Sequence, residues 1–132
     1  MARRTLKMGI MPKESYERRT IAIARGEYKP QKGEPKVWFE SIQSLAQVLK
    51  SENQELLRVI IDKEPSSIKE LEKLTGRRSS NLSRTLHTLE RYGIVELVRG
   101  ERAVRPVVTA TDFEVRFGVY SDDLVELSGR QA

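Results

Sequence analysis

The chain has no cysteine and a single histidine among 132 residues. Without thiols there is no disulfide, no thiolate zinc site and no cysteine nucleophile. The lone imidazole, His87, has no second histidine to share a metal with. Aromatic residues make up 6% of the chain, too few for the stacking platform that grips single-stranded nucleic acid. No apolar run approaches the roughly 20 residues that a membrane-spanning helix needs. The start, Met1 to Lys7, is basic, but no apolar core follows it, so no secretion signal is expected. Glycine-rich phosphate loops are absent, and the neighbouring Asp122 and Asp123 are not placed to share a proton. These absences exclude the usual enzyme constellations and leave no cofactor and no metal to expect. The expectation is a soluble cytoplasmic protein.

What the chain does have is positive charge, unevenly placed. The formal net charge is +5 and the isoelectric point about 9.6. Residues 1–36 and 76–105 carry the excess, whereas 37–75 and 106–132 are net acidic. In 76–105 every basic residue is an arginine, seven against three glutamates. Clustered charge of this kind argues for a polyanionic partner more strongly than a net value does.

The most informative stretch runs from residue 67 to 109. Ser67 and Glu70 have capping-box spacing. Ile68, Leu71 and Leu74 follow on one face, and Gly76 supplies the exit. A second helix is predicted over about 79–92. Its Leu82, Leu86 and Leu89 fall within about 60° on a 3.6-residue wheel. Ser80, Arg84, His87 and Arg91 lie opposite, flanked by Ser79, Asn81, Ser83 and Thr88, with Glu90 the only carboxylate. A solvent face is ordinarily rich in Glu and Lys. Short hydroxyl and amide side chains allow close approach to a groove floor, arginine can fork onto guanine and asparagine onto adenine. Tyr92-Gly93 ends this helix. Ile94 to Val98 then alternates as a strand, Arg99 to Arg102 makes a turn, and Ala103 to Thr109 returns. Arg99, Arg102 and Arg105 stand near the tip of that ribbon, suited to a phosphate or a minor groove. The order helix, glycine turn, helix, ribbon is the one a winged helix-turn-helix uses.

Elsewhere the pattern is weaker. Residues 1–11 show no clear period and are expected to form a basic arm. Residues 12–25 predict a helix opened by Pro12 and stopped by Gly26, with Tyr16, Thr20, Ile23 and Ala24 on one face; Arg18, Arg19 and Arg25 are expected on a solvated side or against DNA backbone. Two prolines and two glycines make 26–36 a linker. Residues 37–50 read as an amphipathic helix through Trp38, Ile42, Leu45, Ala46 and Leu49. Trp38 and Phe39 are adjacent, so only one is expected in the core and the other on a partner surface. Ser51 to Gln54 has capping-box form and opens a helix to about Asp62, closed by Pro65. Phe113, Val115 and Phe117 alternate as a strand. Residues 118–132 are acidic, with Leu124, Val125 and Leu127 spaced for a short docking turn.

The expected fold class is therefore mainly α with a small β-wing: a winged helix-turn-helix over 37–110, an added N-terminal helix within 1–36, and a C-terminal strand and acidic tail over 111–132. Ser80 to Leu86 resembles the recognition-helix core of winged-helix regulators of the MarR and ArsR kind, and Leu89 to Val95 resembles their exit into the wing. With Trp38 to Ser41 and Arg105 to Val107, the chain is similar to a group of small prokaryotic DNA-binding proteins, some regarded as antitoxins. The resemblance implies a homodimer on a palindromic operator. The chain has none of the thiolates that metal-sensing ArsR-like proteins use. Double-stranded DNA is the expected partner. Arg84 and Asn81 are expected on base edges, with Arg77, Arg78, Ser79, Ser80 and the ribbon arginines on phosphate, and Ser83, His87, Thr88 and Arg91 completing the face. Dimer contacts are expected from Tyr16, Ile23, Trp38, Phe39, Ile42, Phe113 and Phe117. The alternative is a protein-binding, antitoxin-type module that also represses its own operon, with a cognate toxin as partner.

Overall fold

A run of three leucines at helical spacing organises the better-marked half of the chain. In the computed structural model, which describes residues 2–119, Leu82, Leu86 and Leu89 are each completely buried. They lie on helix α5 (Ser79–Arg91). Helix α4 (Ile68–Thr75) packs against it, and α3 (Ser51–Lys63) packs in turn against α4. The antiparallel hairpin of β3 (Val95–Arg99) and β4 (Val104–Val108) closes this group. Leu56, Ile60, Leu71, Ile94, Val95 and Val108 complete its core. By the general rule of about 25 cal/mol per Å², each such side chain contributes roughly 1.5–3 kcal/mol.

Local chemistry sets the boundaries. The Ser67 hydroxyl accepts the Glu70 N–H at 3.0 Å and caps α4. The carboxylate of Glu70 accepts from the Ser66 N–H and hydroxyl, at 2.9 and 2.6 Å, so the reciprocal half of the expected box falls one residue earlier. Gly76 leaves α4 at φ 74°, where a side chain would be strained. The capping box expected at Ser51 does not form. Lys50 occupies the N-cap without a side-chain bond, and Asn53 and Gln54 instead donate back to the carbonyls of Val48 and Leu49, at 3.0 and 2.7 Å. Their amides reach the preceding turn before any hydroxyl is needed.

The remaining elements are β1 (Thr5–Ile10), α1 (Lys13–Ala24), β2 (Val37–Phe39), α2 (Ile42–Val48) and β5 (Asp112–Arg116). The second sheet has the order β2-β1-β5, with β1 and β2 parallel and Met8, Gly9 and Ile10 opposite Val37, Trp38 and Phe39. Several expectations change here. The basic arm is a central strand, with Met8, Ile10 and Met11 in the core. The predicted amphipathic helix at 37–50 is a three-residue strand followed by a shorter helix. Strand alternation sends Phe39 into the core, 1% exposed, and leaves Trp38 half-buried on the other side. On α1 the buried residue is Ser15, while Tyr16, Thr20 and Ala24 are exposed.

The supposed linker is tied down although it holds no regular element. The Glu34 carboxylate accepts from the Tyr28 hydroxyl, the Gln31 N–H and Arg19 Nη2, the last at 3.0 Å. Burial pushes the Glu34 carboxyl up, but these donors together hold it below the usual glutamate range. The Arg19 guanidinium lies 5.2 Å from the centre of Trp38 and 5.8 Å from that of Tyr28. It is an interior partner rather than a solvated or DNA-facing base.

By compactness the chain has two units. One is Ala46–Asp112 with the beginning of the chain up to Leu6, and the other is Lys7–Leu45 with the residues from Phe113. The break falls within α2, whereas the expected boundary lay at 36/37. With five helices, five strands and two small sheets among the described residues, the fold is mixed α/β rather than mainly α. The expected docking turn at Leu124, Val125 and Leu127 lies outside the described residues.

Candidate nucleic-acid interface

Helix α5 turns its leucines inward and its polar side to solvent. Ser79, Ser80, Asn81, Arg84, His87 and Arg91 are exposed, and Ser83 and Thr88 are half-buried beside them. Glu90, the one carboxylate on the helix, bends away from that face and accepts the Leu97 N–H at 3.2 Å. The surface is thereby left with no acidic group of its own.

The predicted residues divide by what already holds them. Arg77 is half-buried and folds along α5, with Nε on Asn81 Oδ1 at 2.9 Å and Nη2 on Thr85 Oγ1 at 3.1 Å. It is a brace for the helix start and not the free phosphate hand that was expected. Asn81 keeps its amide NH₂ and one lone pair for a ligand. Ser79 donates to Glu72, which fastens α5 to α4. Thr88 donates to the Arg84 carbonyl at 3.1 Å. His87 Nδ1 lies 2.7 Å from the Ser83 carbonyl, an arrangement in which Nδ1 carries the proton and Nε2 is the outward atom.

Arg78, Arg84, Arg91, Arg99, Arg102 and Arg105 are exposed. Among the described residues none of them forms an ion pair, nor does Arg77. The hairpin register separates two of the ribbon arginines. Arg99 opposes Val104 on the face shared with Leu97, while Arg105 opposes Val98 on the other face. Arg99 and Arg102 flank the turn, where the Gly100 N–H donates to the Ala103 carbonyl at 2.9 Å. Arg105 is set back, lining a small cavity with Ile60, Ile61, Glu64 and Pro65.

Two residues of this surface escape a sequence reading. Lys69 and Lys73 join Arg77 and Arg78 around a depression of about 360 Å³ at the junction of α4 and α5. The only carboxylate in its lining, Glu72, is engaged by Ser79. The signal was available, since residues four apart share a helix face, but the two lysines stand among glutamates and look like ordinary solvent positions. The start of α5 lies beside this depression, and its N-cap Arg78 makes no side-chain cap bond.

Of the residues expected at a dimer contact, Tyr16, Ile42 and Phe117 are exposed, while Ile23, Trp38 and Phe113 are half-buried. Phe39 is in the core and is not available to a partner. Among the described residues there is no helix long and apolar enough to cross a membrane and no cluster of potential metal ligands.

The chain is thus a mixed α/β protein with six exposed arginines, none in an ion pair among the described residues, on one helix, the turn before it and the hairpin after it. It belongs to the HVO_A0114 family, whose model matches residues 48–115, more than half of the chain and the whole of that surface. No curated protein and no solved structure matches it.

Proposed function

We propose that this protein is a sequence-specific double-stranded DNA-binding regulator of transcription, a cytoplasmic repressor acting as a homodimer. In this reading α3, α4, α5 and the hairpin form a winged helix-turn-helix like those of MarR and ArsR regulators. Helix α5 lies in the major groove, and the hairpin lies against the backbone or the adjacent minor groove. One observation carries the reading: six exposed arginines with no carboxylate partner among the described residues, on and around a helix whose single glutamate is turned away. An unpaired guanidinium is free to contact either phosphate or a guanine edge.

The arginines differ in what they reach. Arg84, in the middle of the α5 face, serves base discrimination, with Asn81 contributing its amide. Arg78, Lys69 and Lys73 flank the helix start and serve phosphate, as do Arg99 and Arg102 at the hairpin turn. Binding to phosphate is insensitive to sequence and strongly sensitive to salt.

Selection of a binding site from random duplexes, followed by anisotropy titrations at several salt concentrations, tests this. Arg84→Ala is expected to lose about 1–3 kcal/mol of discrimination between the selected site and a mismatch. Arg102→Ala is expected to weaken all duplexes alike and flatten the salt slope by about one. A protein that enriches no sequence and binds no duplex at low salt overturns the proposal.

A further inference from the structure

Strand β5 is an outer strand of the three-stranded sheet, and none of the described residues pairs with its other edge. The Asp112 N–H is directed to the Arg4 carbonyl at 3.0 Å, on the β1 side. Alternation along a strand therefore points the backbone N–H and C=O groups of Phe113 and Val115 to the open side, and Phe117, one residue past the end of β5, continues the same sequence alternation. Their side chains are apolar, and Val115 and Phe117 are 46% and 53% exposed. An uncovered edge with this composition is normally blunted by proline, a bulge or lysine. Neither proline nor lysine occurs in residues 113–117.

The sequence of the edge is complementary to itself. In an antiparallel pairing of two copies about a twofold axis at Val115, Val115 faces Val115, Phe113 faces Phe117, and Glu114 faces Arg116, the last two each occurring twice. The aromatic pairs then stand on one face and the opposite charges on the other, the two kinds of cross-strand pair that stabilise a sheet. Hydrogen bonding would fall at 113 and 115, the strand residues whose backbone groups point outward, and at 117 once the pairing extends β5 by one residue. Glu114 and Arg116 would take the intervening positions, where side chains come closest. Registers offset from this one lose at least one of these matches. We infer that β5 is a homodimerisation edge, joining two copies of this chain into a continuous sheet through an isologous contact. This dimer is independent of DNA binding, because it needs only β5 and the adjoining Phe117.

The full-length protein, without DNA, tests it by light scattering and sedimentation across a concentration series. The wild type is expected to reach the mass of a dimer. Arg116→Glu and Glu114→Arg each place like charges opposite one another twice, and are expected to raise the dimer dissociation constant about tenfold or more. The double variant E114R/R116E restores the opposite-charge pairs and is expected to return to within about threefold of wild type. A cysteine-free chain makes the register directly readable. V115C, at an exposed position, is expected to form an intermolecular disulfide on mild oxidation, its Cα atoms about 5.5 Å apart. E114C, whose copies sit diagonally at about 7–8 Å, is expected to remain unlinked. Circular dichroism separates loss of assembly from loss of fold. A monomer at every concentration means that another segment or another protein covers the edge, and overturns the inference. So does a dimer that ignores both charge reversals and leaves V115C unlinked.

Discussion

Gly9 lies against the Trp38 ring, where an added Cβ would sit 2.3 Å from Cζ3 and 2.6 Å from Cε3. The same ring is in contact with a cation, the Arg19 guanidinium, which Glu34 holds in place. Moving the indole would therefore disturb its contact with Arg19. Gly9→Ala is expected to cost about 1–3 kcal/mol, the usual range for overpacking, measured as a lowered urea midpoint. An unchanged midpoint would mean that the indole swings aside. Arg77 shows the same economy of position. It looks like a phosphate-binding residue because it stands between a turn and a polar helix, yet two of its nitrogens are spent on Asn81 and Thr85. Charge alone does not distinguish a residue that meets a ligand from one that braces its neighbours.

Helix α3 ends on Glu64 in the left-handed region, at φ 45°, immediately before Pro65. A side chain there costs roughly 1–2 kcal/mol that glycine does not incur. Glu64→Gly is expected to raise stability by about 0.5–1 kcal/mol net of the greater freedom glycine gives the unfolded chain; a thermal melt reads this directly, and a fall in melting temperature would contradict it. Helices α4 and α5 and the hairpin were legible in the sequence because each pairs an apolar period with its own punctuation: Ser67 at one start, Gly76 and Gly93 at two exits. The first sheet to appear in the chain was not. In β1, Leu6, Met8 and Ile10 do alternate, but the run is short, sits among basic residues, and has one of its partners more than a hundred residues away. Helix α1 misleads for a different reason. Its inward side presents Ser15 and Arg19, so the apolar period marks the wrong face. The candidate site was legible wherever it lay along one helix. It was illegible where two helices meet, as at Lys69 and Lys73.

At the scale of the molecule, the start of the chain is fastened to a residue far along it. Arg3 forks onto Asp112, with Nε 2.9 Å from Oδ2 and Nη2 on Oδ1. Arg4 and Thr111 exchange further bonds beside the pair. Hydrogen bonds from Arg3 and Thr111 hold the Asp112 carboxyl down at about 2. An unfolded aspartate titrates near 3.9, so the stabilisation is whole above about pH 4 and disappears as the pH falls through about 2. Asp112→Asn is expected to remove this component, leaving a flatter stability curve between those limits in acid titrations followed by circular dichroism. A variant curve parallel to that of wild type would show the contact to be inconsequential.

The order of strands has a consequence for how such a chain is made. The middle strand of the β2-β1-β5 sheet is synthesised before any other, and its outer neighbour leaves the ribosome only after more than a hundred further residues. Helices α3 to α5 and their hairpin are contiguous in the chain and can settle while translation continues. The sheet has to wait, its first-born strand lacking one of its two neighbours until β5 emerges.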